Sequence, residues 1–118
     1  MRKRVSRYSR IVFVLFVALT GVWNLHSQST TSLRGTITDA QGAVIPGAVV
    51  TLTDRDKGAS RQIVTDAVGS YAFLQLSPGT YTLKVENPGF STATRDNLKL
   101  LVNTPATLDL RLDGYMDQ

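Results

Sequence analysis

The chain contains no cysteine, which excludes a disulfide framework and any thiolate chemistry. Its single histidine, His26, and single tryptophan, Trp23, both lie within the first thirty residues. Downstream of them, zinc sites with three protein ligands of the usual kind, Ser-His-Asp triads and Cys-His pairs are excluded. The missing tryptophan also weakens any sugar platform, which needs exposed aromatic rings to stack on. No apolar run reaches the roughly 20 residues that spanning a bilayer needs. No stretch holds a helical period over eleven or more residues. There is no internal repeat and no low-complexity tail.

What is present begins with a three-part leader. MRKRVSRYSR is basic, Ile11 to Leu19 is a continuous run of nine apolar residues that extends through Thr20 and Gly21 to Val22 and Trp23, and NLHSQS is polar. This is the layout of a secretory signal peptide. Small residues at Ser27 and Ser29 suit cleavage before Thr30, so residues 1–29 read as signal peptide and 30–118 as one domain. An uncleaved anchor is the alternative, and the apolar run is short for it. A basic amphipathic surface helix fits less well, because the apolar residues go all the way round. His26 then belongs to the discarded leader. Five of the 13 basic residues lie in the first ten positions, leaving eight against nine acids downstream, a net charge of −1. The pI of about 9.8 belongs to the leader, and no nucleic-acid partner is expected. The domain is expected to be exported. The absence of cysteine fits a bacterial periplasm, where many folds do without disulfides.

The domain itself reads as strands. Gly69 to Val85, GSYAFLQLSPGTYTLKV, carries Tyr71 and Phe73 at period two, then Ser77, Pro78 and Gly79, then Tyr81, Leu83 and Val85 at period two again. Alternation places each set on one strand face, and Pro and Gly supply the turn. A β-hairpin with one apolar face is expected. Burying Tyr71, Phe73, Leu76, Tyr81, Leu83 and Val85 contributes on the order of 1.5–3 kcal/mol each, as an upper bound. A lone hairpin is marginal in water, so a second layer must cover it. Leu33, Gly35 and Ile37 mark a first strand; Ala48, Val50 and Leu52 a second, within Gly47 to Thr53; Arg61 to Thr65 a third, with Ile63 inward. Leu98, Leu100 and Val102 mark a sixth, and Leu108, Leu110 and Leu112 a seventh, with Phe90 as a core plug between the fifth and sixth. Asp39, Gly42, Pro46, Gly47, Gly69, Pro78, Gly79 and Gly89 are the expected turn residues. Seven short strands with regular turn signals read as an all-β antiparallel sandwich.

Three motifs run in order: G-T-I-T-D-A-Q-G from Gly35, I-P-G-A-V-V-T-L from Ile45, and D-A-V-G-S-Y-A-F-L-Q-L-S-P-G-T-Y-T-L-K-V from Asp66, with Gly89 and Phe90 following. Over Leu33 to Leu112 the chain resembles the carboxypeptidase regulatory-like domain, a transthyretin-like (prealbumin-like) seven-strand sandwich. The resemblance implies a module without catalytic residues. In metallocarboxypeptidases it sits beside the catalytic domain. In bacteria it is common at the N-terminus of outer-membrane TonB-dependent receptors, directly after the signal peptide. Such a receptor would continue past Gln118 into a plug and barrel, so a free-standing module or a truncated receptor is expected. The wider fold group includes carbohydrate-binding, starch-binding-like domains.

Site by site, structural readings outweigh chemical ones. Asp54, Asp56 and Gly58 resemble half of a calcium loop, but position 65 is Thr65 rather than the late bidentate Glu, and Arg55, Lys57 and Arg61 repel a cation. A solvated turn is expected. Tyr71, Phe73, Tyr81 and Phe90 fall at inward positions, leaving Tyr115 as the exposed aromatic, a poor sugar platform alone. Lys84 and Glu86 face outward and Asn103 lies in a loop, which disfavours a Lys–Asn crosslink. The acids sit mainly in turns, away from the paired arrangement of glycoside hydrolysis. The expectation is an exported, non-enzymatic module without metal or cofactor, in the periplasm or outer membrane of a Gram-negative bacterium, or secreted. Its partner would be a protein or adjacent domain, met through an edge strand (the second or the third) or the loops at one end. The alternatives are a glycan-binding module and a regulatory domain of a carboxypeptidase. Membrane contact would come only through the signal peptide or an outer-membrane partner. The core is expected to comprise Ile37, Val50, Leu52, Tyr71, Phe73, Leu76, Tyr81, Leu83, Val85, Phe90, Leu108 and Leu110.

Overall fold

Alternation of apolar and polar side chains produces eight strands and no helix among residues 29–115, which are the residues that the computed structural model describes. The expected signal peptide lies outside them. The strands are β1 (Thr31–Thr38), β2 (Val49–Asp54), β3 (Ser60–Val64), β4 (Ser70–Leu76), β5 (Gly79–Glu86), β6 (Ala93–Leu100), β7 (Ala106–Thr107) and β8 (Leu110–Arg111). They form two sheets. One has the order β3-β2-β5-β6, and the other has β1 between β4 and the successive short strands β7 and β8. The inner faces close over a core of Leu33, Ile37, Ile45, Ala48, Val50, Leu52, Tyr71, Phe73, Leu76, Tyr81, Leu83, Val85, Leu100, Leu110 and Leu112.

The β3-β2-β5-β6 sheet is antiparallel throughout. β2 and β5 run in unbroken register from Val49↔Glu86 to Asp54↔Tyr81, so Val50, Leu52, Leu83 and Val85 share one buried face. β6 is bulged opposite Tyr81 and Leu83, with Asn97 at φ 58°. The other sheet is mixed. β1 pairs antiparallel with β4 but parallel with both β7 and β8. The expected all-antiparallel arrangement of seven strands is therefore corrected: the segment Leu108–Leu112 is not one strand, because the ladder with β1 is interrupted at Leu108 and Asp109 between β7 and β8, with the register unchanged across the gap.

The expected hairpin is also corrected. β4 and β5 belong to different sheets and do not pair. Only Ser77 and Pro78 separate them, and the chain there crosses from one layer to the other. A hairpin and a crossover leave the same in-and-out pattern, so alternation could not separate them. The crossover starts at a bulge in β4, where Gln75 takes φ 54° and the register with β1 jumps from Leu33↔Phe73 to Thr31↔Leu76. That extra residue turns Leu76 inward although it is out of phase with Tyr71 and Phe73. Gly79 is not the left-handed turn residue expected; it opens β5 and pairs with Leu100. The Tyr81 hydroxyl closes the crossing by donating to the Ser77 carbonyl at 2.6 Å.

Other differences are local. Phe90 and Leu108 are half-buried and pack against the core rather than within it. Phe90 is bridged to Gly114, and Leu108 sits in the gap between β7 and β8. Leu98 is half-buried, and Val102 is exposed because β6 ends at Leu100. Ile45, in a segment that reads as loop, is buried because its N–H donates to the Ile37 carbonyl at 2.9 Å. β2 lies inside its sheet, so of the two expected edge strands only β3 is one.

Candidate functional site

Among the glycines of the described residues, Gly35 in the middle of β1 meets the closest approach. Gly35 follows the inward phase of Leu33 and Ile37, but no side chain fits there. A Cβ on Gly35 would lie 1.8 Å from the Leu108 carbonyl oxygen and 2.9 Å from the Tyr71 ring. The Leu108 carbonyl therefore occupies the space that a side chain would take. The Tyr71 hydroxyl donates to it at 2.5 Å, and the Leu108 N–H donates to the Arg34 carbonyl at 2.8 Å. One residue on, the Asp109 carboxylate accepts the Thr36 N–H at 2.9 Å. In the gap between β7 and β8 the Leu108 carbonyl and the Thr36 N–H are thus satisfied by a phenol and a carboxylate instead of by each other. Burial, reinforced by the Asp109 carboxylate, pushes the Tyr71 phenol well above its ordinary value of 10.0.

Around this point the outer face of the sheet forms an open polar groove of about 500 Å³, lined by Arg34, Thr36, Asp66, Ser70, Thr107 and Asp109 among others. It holds two carboxylates, a guanidinium and hydroxyls, with no histidine or cysteine to serve as base or nucleophile. Among the described residues no group of three or more His, Cys, Asp or Glu side chains is placed to hold a metal ion.

The expected turn residues are distributed around the two ends of the sandwich. Asp39 accepts the N–H groups of Gln41 and Ala43, and Asp66 accepts those of Val68 and Ser70, each an Asx-type turn. Gly42, Gly47 and Gly89 take positive φ, and Pro46 and Pro78 are exposed. Gly69, at φ 74°, is the sharpest case, since a Cβ would meet the Ile37 carbonyl oxygen at 2.8 Å. The turn after Asp54 is exposed from Arg55 to Ser60, and Asp54 alone turns inward to close it. Asp54 is 8% exposed, and its carboxylate accepts the N–H groups of Asp56 and Lys57. Lys84 and Glu86 pair with each other at 2.9 Å on the surface, and Tyr115 is 65% exposed.

Two features carry no sequence signal of their own. Thr65 is buried and bonded on both sides, accepting the Ala48 N–H at 2.9 Å and donating to the Ile45 carbonyl at 2.7 Å. Arg61, in β3, donates to the carbonyls of Leu74 and Gln75 at 2.6 and 3.0 Å. It bridges the two sheets at the bulge of β4.

The four sheet edges differ. β6 is bulged and carries Arg95, Asp96 and Lys99, which blunt it. The far end of β4 has its carbonyls taken by Arg61, and β7 and β8 are two residues each. β3 is the longest regular edge left open among the described residues.

The family model for the carboxypeptidase regulatory-like domain matches residues 32–113. The chain belongs to this family. The domain is 38% identical over 88 residues to the TonB-dependent transporter Oar of Myxococcus xanthus, covering 73% of this chain and 8% of the transporter. The chain thus spans less than a tenth of that relative's length. Among solved structures, the regulatory-like domain is similar to the wild-type catechol 1,2-dioxygenase of Acinetobacter radioresistens, with TM-score 0.57, 16% identity, and coverage of 77% of this chain and 54% of that one. It is also similar to a putative carbohydrate binding protein of Bacteroides uniformis, with TM-score 0.58, 17% identity, and coverage of 74% and 43%. Likeness at such identity speaks to the fold alone, since one sandwich hosts many functions.

Proposed function

We propose that this regulatory-like domain is an exported, non-catalytic accessory module of the kind carried by TonB-dependent receptors of the Gram-negative envelope, and that it works by contact with a neighbouring protein or domain. The observation that carries this reading is the 38% identity with a TonB-dependent transporter over 88 residues, 73% of this chain. Two facts support the non-catalytic part. The polar groove around Asp109 lacks a nucleophile with its base, and the acids of the described residues go mainly to turns and strand closure. The contact is assigned to β3, the open regular edge, through strand addition.

Two measurements test the reading. The full chain with a C-terminal tag, expressed in a Gram-negative host, is expected in the periplasmic or outer-membrane fraction with its leader removed; recovery of the full-length chain in the cytosol counts against export. A photo-crosslinking residue at Gln62, on β3, is expected to give a discrete adduct to an envelope protein, whereas one at Asn97, on β6, gives none. Adducts only at Asn97 would reverse the assignment of the edge, and retention on a defined glycan lost on Tyr115→Ala would favour sugar binding.

A further inference from the structure

The chain enters and leaves the sandwich at opposite ends, through neighbouring strands that run parallel. β1 starts at Thr31, beside Thr104, where the Thr31 hydroxyl donates to the Thr104 carbonyl at 2.9 Å and the Asn103 N–H donates to the Thr30 carbonyl at 3.1 Å. The pairing then follows β1 downward: Leu33↔Ala106, Arg34↔Thr107, Ile37↔Leu110, Thr38↔Arg111. It ends where the Leu112 N–H donates to the Thr38 carbonyl at 2.8 Å. β1 rises about 3.3 Å per residue, so the two points of attachment lie a full strand length apart. Tension applied at residue 29 and residue 113 pulls β1 and β8 past each other along their common axis.

We propose that this geometry makes the domain a mechanical element that withstands tension applied along the chain. In a parallel pair the inter-strand hydrogen bonds are evenly spaced and run at a slant from one strand to the other. A pull along the strands therefore strains every bond between β1 and the β7–β8 segment together. None can be lost singly before the others carry force. A pull that separates the same strands from one end loads the bonds one at a time, and each breaks with little help from the next. The side-chain closures reinforce the sheared seam. Asp109 ties Thr36, Thr31 ties Thr104, and Tyr71 anchors the Leu108 carbonyl to β4. The Leu108 carbonyl lodged against Gly35 adds a steric key, because sliding β7–β8 along β1 drives that oxygen toward the side chains that flank Gly35. This function goes beyond contact with a partner and holds whatever the two ends are attached to.

The absence of cysteine makes the test clean, since any introduced pair supplies the sole handles. The full chain, expressed in the cytosol so that residues 1–29 are retained, and carrying Ser29→Cys and Asp113→Cys, is stretched in optical tweezers along the seam. The full chain carrying Ser29→Cys and Val102→Cys is stretched so that β1 and β7 peel from one end. All three anchoring residues are exposed. Forced unfolding reports the unfolding rate under load rather than equilibrium stability. The along-seam pair is expected to rupture in one step at a severalfold higher force than the peeling pair at the same loading rate. Equal forces, or a lower force along the seam, overturn the proposal. Asp109→Ala is expected to lower the along-seam force and leave the peeling force where it was; Tyr71→Phe, which frees the Leu108 carbonyl in the middle of the seam, supplies the same comparison if Asp109→Ala does not fold. A change of equal proportion in both geometries would mean that these bonds only stabilise the fold, and would also overturn it.

Discussion

The two sheets solve the same packing problem by different means. The β3-β2-β5-β6 sheet is regular through its inner strands: β3, β2 and β5 pair residue for residue, and the bulge is confined to the edge strand β6. The sheet around β1 is irregular. It mixes parallel and antiparallel neighbours, bulges at Gln75, breaks between β7 and β8, and relies on Tyr71, Asp109 and Thr31 to satisfy groups that a ladder would otherwise pair. A regular sheet spreads its stability over many equivalent contacts. An irregular one concentrates it in a few side chains that cannot be exchanged.

Substitutions that touch the two sheets unequally should expose that difference. The largest contrast is between two glycines. Gly35→Val forces a side chain into the Leu108 carbonyl, a backbone atom that cannot swing aside, and should cost more than the roughly 1–3 kcal/mol of ordinary overpacking; loss of the folded far-UV circular dichroism signal is expected. Gly79→Ala, in β5, has its nearest neighbour at 4.0 Å, and a urea melt should move by less than about 1 kcal/mol. A well-folded Gly35→Val protein would show that the seam around β1 can open without loss.

Tyr81→Ala should cost about 3–5 kcal/mol, as for other large aromatic truncations in a core. A loss under about 1 kcal/mol in urea would place Tyr81 outside the core. The paired phenylalanine variants separate the sheets more finely. Tyr71→Phe strands the Leu108 carbonyl beside Gly35 and should cost about 1–3 kcal/mol, against about 0.5–1.5 for Tyr81→Phe, whose Ser77 carbonyl lies near the surface. Equal losses would remove the distinction between the sheets.

The smallest effect is alkaline. The Tyr71 phenol in the folded state is pushed above its ordinary value of 10.0, mainly by burial and further by Asp109. Tyr81 is raised in the same direction by burial and by Asp54, with Arg61 opposing. Above about pH 10 the unfolded chain releases these protons and the folded chain holds them, so the unfolded state binds fewer protons and stability falls with rising pH. The contribution is intact below that pH and is lost progressively above it. Melts between pH 9 and pH 11 should show a shallower decline for Tyr71→Phe than for the parent chain; identical slopes would mean that Tyr71 does not titrate with unfolding.

The regular sheet was far more legible than the irregular one. Val50, Leu52, Leu83 and Val85 announce their face by strict alternation, and the structure buries all four. Leu108 keeps the alternation of Leu110 and Leu112 but ends half-buried, because its carbonyl turns in against Gly35 where the ladder breaks between β7 and β8, and nothing in the spacing announces it. Tyr71 was readable as an inward aromatic, but its hydroxyl partner, Leu108, lies 37 residues away in sequence. Thr65 looked like an ordinary strand end; its two buried bonds to Ile45 and Ala48 depend on how a loop folds back. The one local hint for the seam was Gly35 itself, a residue with no side chain in an otherwise apolar inward phase.

By itself the sequence determined that the domain would be all-β, which face of each regular strand would be apolar, where the chain would turn, and that cysteine and histidine chemistry would be missing from it. These follow from side-chain period and residue identity, which are local properties. Tertiary structure alone decided that β4 and β5 part into separate sheets, that β1 lies between parallel and antiparallel neighbours, and that Tyr71, Asp109 and Gly35 meet at one seam. Those outcomes depend on which strands find each other across the core. Alternation within a strand is indifferent to the choice, since the same buried face can be covered by more than one neighbour.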